Sequence, residues 1–157
     1  MKTFTLIVIT IILNACGASK NITSDVENAT STSSKLLQEQ VTVIQYQATS
    51  RGLYKMVEAN KNTINYQNSR TEKATSKPCS EADWSNVLQK LNTIDVSKLD
   101  QIEAPTKAHQ YDGAALATLT IIKDNKTYTS TTFDHGNPPK QLEGIVNQLL
   151  SFMPEKQ

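Results

Sequence analysis

The sequence predicts an α+β domain, an antiparallel sheet of about five strands in the order β-β-β-α-loop-β-β-α with both helices packed on one face. Three observations lead there. Residues 41–48, VTVIQYQA, form an alternating run rich in β-branched and aromatic side chains. Residues 53–69 and 114–133 each read as two extended arms joined by a short Asn-containing turn, which pairs strands as hairpins instead of through parallel crossovers. Residues 80–91 and 139–153 carry apolar side chains at helical spacing.

On the first strand, Ile44, Tyr46 and Ala48 share one face, and Val41, Val43, Gln45 and Gln47 the other. Ser50-Arg51-Gly52 punctuates the chain, and 53–59 returns through Asn60-Lys61-Asn62 to 63–69, where the Asn residues are expected to accept positive φ. Tyr54, Met56, Ile64 and Tyr66 are the expected buried face of this hairpin. Residues 70–77 are polar and read as a loop. Ser80-Glu81-Ala82-Asp83 resembles a capping box with Asp in place of Glu, and Trp84, Val87, Leu88 and Leu91 follow as the apolar stripe. A short turn or helix at 94–102 leads into a loop over 103–113. The Asp124-Asn125 pair suits a tight reversal in the second hairpin. Pro139 falls near the first turn of the closing helix, where its missing N–H costs nothing, and Leu142, Ile145, Val146, Leu149, Leu150 and Met153 line that helix.

The amino terminus sets the expected location. Lys2 is followed by a ten-residue apolar stretch at 4–13, about half of what a membrane-spanning helix needs, so the segment reads as a signal peptide. It ends on Leu13-Asn14-Ala15-Cys16, which resembles the lipobox of bacterial lipoproteins. That resemblance implies removal of residues 1–15 and acylation of Cys16 with chains such as palmitate. Several chains on one residue anchor a protein durably, because each buried CH₂ contributes about 0.8 kcal/mol. Residues 16–35 are rich in Ser, Thr, Asn and Ala and are expected to be a flexible tether, leaving 36–157 as one globular domain. The expected location is the cell envelope, with the anchor in the outer membrane facing the periplasm if the source is Gram-negative.

Charge narrows the partners. Loss of residues 1–15 from the 157 takes Lys2 from the 16 basic residues, so 15 basic face 15 acidic residues. A near-neutral chain without a basic cluster gives no footing for a nucleic-acid partner. The expected partners are the membrane, through Cys16, and an envelope protein. No cofactor is expected.

Few residues suggest chemistry. No G-x-S-x-G elbow, H-E-x-x-H pair or phosphate-cradling glycine loop occurs. The two histidines, His109 and His135, fall in predicted loops near Asp112 and Asp134. These four are candidate metal ligands if the loops converge, because imidazole and carboxylate suit zinc, although their spacing matches no ligand signature. His135 is also the candidate base of a His-dependent or metal-assisted hydrolase. Cys79, just before a helix, reads either as a reactive thiol or as a staple packing on Trp84, and with Cys16 acylated it has no disulfide partner. The loops themselves carry more information. Stiff Pro and permissive Gly beside polar or aromatic groups suit a preorganised binding surface. Its candidate contacts are Arg51, Tyr111, Asp112, Asp134, His135 and Asn137, with Asp112 and Asp134 as possible partners of Arg51.

Two resemblances bear on function. The lipobox, the tether and a domain of this size, with the stretches SRG, APT, YDGA and DHGNPP, are similar to small bacterial lipoproteins of uncharacterised function. From Cys79 onward, the order of helix, exposed loop, long hairpin and final helix resembles subtilisin-inhibitor-like proteins. That likeness implies protease binding by the loop at 104–112. The reading is therefore a membrane-anchored envelope lipoprotein with a non-catalytic binding domain, with protease inhibition and hydrolysis as alternatives.

Overall fold

The computed structural model describes residues 41–154, so the signal peptide, Cys16 and the tether lie outside the described residues. The strands are β1 (Val41–Thr49), β2 (Tyr54–Ala59), β3 (Thr63–Gln67), β4 (Thr75–Pro78), β5 (Leu116–Lys123), β6 (Lys126–Thr129) and β7 (Phe133–Asp134). They form one antiparallel sheet in the order β4-β3-β2-β1-β5-β6, with β7 also pairing β5. Two α-helices follow β4 and β7, α1 (Glu81–Leu91) and α2 (Lys140–Leu150), and two 3₁₀ turns, Val96–Gln101 and Ala108–Tyr111, lie between α1 and β5. The fold is α+β, as predicted.

Alternation decides the layering. Ile44, Tyr46 and Ala48 of β1, Val57 and Ala59 of β2, Ile64 of β3 and Ala117, Leu119 and Ile121 of β5 are buried. Against them pack Trp84, Val87, Leu88 and Leu91 of α1 and Leu142, Ile145, Val146 and Leu149 of α2. Both helices thus cover one face. The other face mixes polar side chains with Val43, Met56 and Ile122, and there Glu58 accepts from Gln45 and Asn65 across three strands, each at 3.3 Å.

Several local expectations change. The first arm of the β2–β3 hairpin presents Val57 and Ala59 inward, not Tyr54 and Met56. A one-residue change of phase exchanges the two faces of a strand. Here the register sets small Val57 opposite buried Tyr46, and Ala59 opposite Ile44, so small side chains fill the space beside large ones. The turn at 60–62 uses no positive φ; Asn60 Oδ1 instead accepts from Asn62 N and Thr63 N, both at 2.8 Å. Residues 75–77, read as loop, form with Pro78 the edge strand β4, which lacks a buried face, so it carries no alternating signature. Lys77 of this strand lies 5.9 Å from the Tyr66 ring and donates to Phe152 O at 2.9 Å, tying the edge to the chain after α2.

Other elements agree with the sequence. Ser80 caps α1, accepting from Asp83 N at 3.0 Å and donating to Asp83 Oδ2 at 2.7 Å. Asp124 and Asn125 adopt φ of 52° and 58°, the left-handed pair of a tight hairpin turn. The second arm of that hairpin is broken, however, at Ser130. Its backbone N donates to Leu119 O at 2.8 Å and its Oγ accepts from Leu119 N at 3.0 Å, after which the arm resumes as β7.

Cys79 is half-buried against the cluster that contains Trp84, as a staple would be. Burial pushes its thiol up, Asp83 adds to this, and Lys77 opposes it. Iodoacetamide is therefore expected to alkylate the folded protein several-fold more slowly at Cys79 than the urea-unfolded chain at pH 7.5. Equal rates would remove the staple.

Candidate recognition surface

The candidate site begins where β7 ends. Pairing of Ala117 with Phe133 and of Leu116 with Asp134 sends the Phe133 ring into the core and Asp134 to the opposite side of the strand. Beyond it the chain turns sharply. His135 N donates to Ala115 O at 2.8 Å, Gly136 takes φ of 87°, and Asn137 N returns to Asp134 O at 2.9 Å. A side chain at position 136 would be strained by that φ whatever the space around it.

Asp134 is only 3% exposed, and its carboxylate is filled from within. Oδ2 accepts from Thr106 Oγ1 at 2.5 Å and from Ala108 N at 2.8 Å. Oδ1 accepts from His109 N at 2.7 Å and from His109 Nδ1 at 2.6 Å. Asn137 Nδ2 donates to Thr106 Oγ1 at 2.8 Å and completes the link between the two loops. Burial alone would raise the carboxyl, but the hydrogen bonds from Thr106, His109 and Ala108 outweigh it and hold Asp134 well below the usual carboxylate range. An ionised, acceptor-only carboxylate beside Nδ1 places a proton on that nitrogen. The other ring nitrogen, Nε2, lies 3.4 Å from Thr132 Oγ1. These residues flank a cleft of about 310 Å³ lined by Glu103, Ala104, Lys107, His109, Gln110, Thr131 and Thr132.

The Ala108–Tyr111 turn closes with Asp112 at φ 57° and Gly113 N donating to Ala108 O at 2.9 Å. A Cβ at position 113 would lie 3.3 Å from that oxygen, so glycine permits the close approach. Tyr111, at the end of the turn, is 84% exposed. Residues 106–109 are thus held from beneath, and the aromatic ring is left to solvent.

His135 is elsewhere occupied. Its Nδ1 lies 2.6 Å from the buried Tyr46 hydroxyl. Burial, and then the charge of Lys55, lower the His135 pKa, while burial raises the Tyr46 phenol, so both are neutral near pH 7. Tyr46→Phe is expected to cost about 1 kcal/mol, the net worth of one hydrogen bond, in urea unfolding. No change in midpoint would mean that the contact contributes nothing.

The structure brings Asp134, Asn137 and His109 together, and with them Thr106, which the sequence named only as part of a loop. It separates His135, whose ring serves Tyr46, and leaves Asp112 exposed on the turn. The four-residue metal set is not assembled, and among the described residues no group of three or more His, Cys, Asp or Glu is placed to hold a metal ion. Arg51 pairs with neither Asp112 nor Asp134, because the acceptor sites of Asp134 are taken by the loop. Among the described residues Lys98 pairs with Asp95, and His109 contacts Asp134, the latter a charged pair only when the imidazole is protonated. Arg51 is instead exposed in the β1–β2 turn, beside Tyr54 and Arg70. Arg51→Ala is accordingly expected to leave the melting temperature within a few degrees of wild type. A larger fall would make Arg51 a structural strut.

Fold and site together define a small antiparallel α+β domain that presents two cross-linked loops beside one end of its sheet. Comparison with family models, curated proteins and solved structures gives no match. Among the described residues, no helix is long and apolar enough to cross a membrane.

Proposed function

We propose that the protein is a lipid-anchored lipoprotein of the cell envelope, held by acyl chains on Cys16, whose domain is a non-catalytic binding module for an envelope partner. The observation that supports binding is the Asp134 carboxylate, which fixes residues 106–109 against 134–137 and leaves Tyr111 outward. A surface ordered before contact loses less conformational entropy on association. The lipobox resemblance supports the anchor. Cys16→Ser is expected to release the protein from the membrane fraction, and retention with normal processing would remove the anchor. Affinity capture from detergent-solubilised envelope tests the module. A specific protein should be retained by wild type and lost by a folded Tyr111→Ala, Asn137→Ala double variant, whereas capture of nothing specific by either counts against binding. Protease inhibition is one form of this reading. It requires a stable complex with a protease that changes within 104–112 abolish.

A second reading is favoured by the order Asp134, His109, Thr132 along the cleft, which has the sequence of roles of an acid, a base and a nucleophile. In this hydrolase His109, not His135, is the base. Turnover of a small ester that His109→Ala removes without unfolding would support it. We rank it below binding because both Asp134 oxygens also anchor backbone amides, and 3.4 Å lies at the long limit of a hydrogen bond.

A further inference from the structure

Two arginines, Arg51 and Arg70, line one notch that has no acidic residue among its described walls. The notch, about 340 Å³, lies between the β1–β2 turn and the chain joining β3 to β4, and Arg51, Tyr54, Arg70 and Thr71 are among its walls. Arg70 is held: it donates to Thr49 Oγ1, and its guanidinium lies 5.7 Å from the centre of the Tyr54 ring. The segment that carries it is also tied, because Gln67 Nε2 donates to Ser69 O at 2.7 Å and to Glu72 O at 2.6 Å. Arg51, opposite, has no ion pair among the described residues.

The sheet register gives the notch a neighbour. Tyr54, Thr49, Leu116 and Asp134 are successive partners across β2, β1, β5 and β7. Leu116 in this row is 36% exposed; it and Tyr111 are the large exposed apolar side chains among the described residues. A basic notch, an exposed leucine and the loops anchored by Asp134 therefore follow one another along the same end of the sheet.

We propose that this strip binds an extended acidic segment of a partner protein, with one carboxylate in the Arg51–Arg70 notch and an adjacent apolar side chain on Leu116. Planar guanidinium forks match a carboxylate in two-point contact, and a preordered fork loses little freedom on binding. The apolar neighbour suits a polypeptide rather than a free anion. Two arginines on a chain with balanced charge also fall short of the extended basic surface that a nucleic acid requires. The inference rests on the binding-module reading and names the chemistry of its partner.

The test uses the full chain in uncharged detergent micelles and a fluorescent hexapeptide of alternating glutamate and leucine, followed by anisotropy against empty micelles. Saturable binding is expected. It should weaken about tenfold or more with Arg51→Glu or at raised salt, weaken with Leu116→Ser, and vanish for the glutamine analogue of the peptide. Arg51→Glu is on an exposed turn, and an unchanged melting temperature confirms its fold. Equal binding by wild type and Arg51→Glu, equal binding of the glutamine peptide, or displacement by inorganic phosphate at the peptide's own concentration would overturn the proposal. If an envelope protein captured by wild type is lost with Tyr111→Ala but kept by Arg51→Glu, this inference alone fails. If no protein is captured and the peptide does not bind, the binding-module reading fails with it.

Discussion

Replacement of Trp84 by alanine is expected to lower the free energy of unfolding by about 3–5 kcal/mol, the range for truncating a buried aromatic side chain. Trp84 is fully buried, and with Val87, Leu88 and Leu91 it forms the face by which α1 meets the sheet and α2. Loss of the indole leaves a cavity that a rigid sheet cannot close. Its Nε1 is buried with no hydrogen-bond partner among the described residues. Trp84→Phe therefore loses volume but also removes an unpaired donor, and its cost should be well below that of alanine. Urea unfolding followed by far-ultraviolet circular dichroism measures both. A loss below about 1 kcal/mol for Trp84→Ala would mean that α1 is not docked as described.

Acid should unfold the protein partly through Asp134. Its folded pKa is depressed relative to the ordinary value of about 3.9, so the carboxylate binds fewer protons in the folded state. The resulting stabilisation is fully present above about pH 5 and is lost as pH falls through 4 toward the folded pKa. Asp134→Asn brings an NH₂ group to a site where only donors converge, so it should melt well below wild type at neutral pH. The two melting curves should then approach each other below pH 4. Parallel curves from pH 7 to pH 3 would show that Asp134 titrates alike in the folded and unfolded states. His135→Ala leaves Asp134 and its donors in place and should retain the acid-dependent fall of the wild type.

What the sequence made legible was short-range. The Ser80 cap and the stripe from Trp84 to Leu91 lie within a dozen residues, and the Asp124-Asn125 turn needs only two positions with positive φ. Tyr46, Ile44 and Ala48 announced themselves by alternation, whereas Val41, expected on the other face, is buried in the same core because the register shifts between Val41 and Val43. Where the outcome depended on distant partners, local pattern gave the wrong answer. The phase of β2 follows from what faces Val57 across the strand pair, not from the size of Tyr54 and Met56. The edge strand β4 has no buried face to leave a trace, and the break at Ser130 depends on a side chain completing the ladder in place of backbone.

The same division runs through the site. Asp134 and Asn137 were readable as loop candidates because Gly and Pro surround them. That Asp134 serves His109, 25 residues away, while its neighbour His135 serves Tyr46, 89 residues away, is fixed by tertiary packing. Asp134 ends the strand bonded to His109, and His135 begins the turn with its ring at Tyr46, so the Asp134-His135 dipeptide does not act as one unit. Arg51 shows the converse. Its exposure on a turn was foreseeable, but the absence of a carboxylate partner among the described residues followed only once the loop had filled Asp134.

The most direct test of a preordered recognition surface is hydrogen exchange at the amides of Ala108 and His109, the two backbone donors to Asp134. In wild type both should be protected to a degree approaching the central strands β1 and β5, and in Asp134→Ala they should exchange rapidly while the β1 and β5 amides remain protected. Exchange of these two amides in wild type at the rate of an unprotected loop would contradict the account, because residues 106–109 would then carry no order into a binding event.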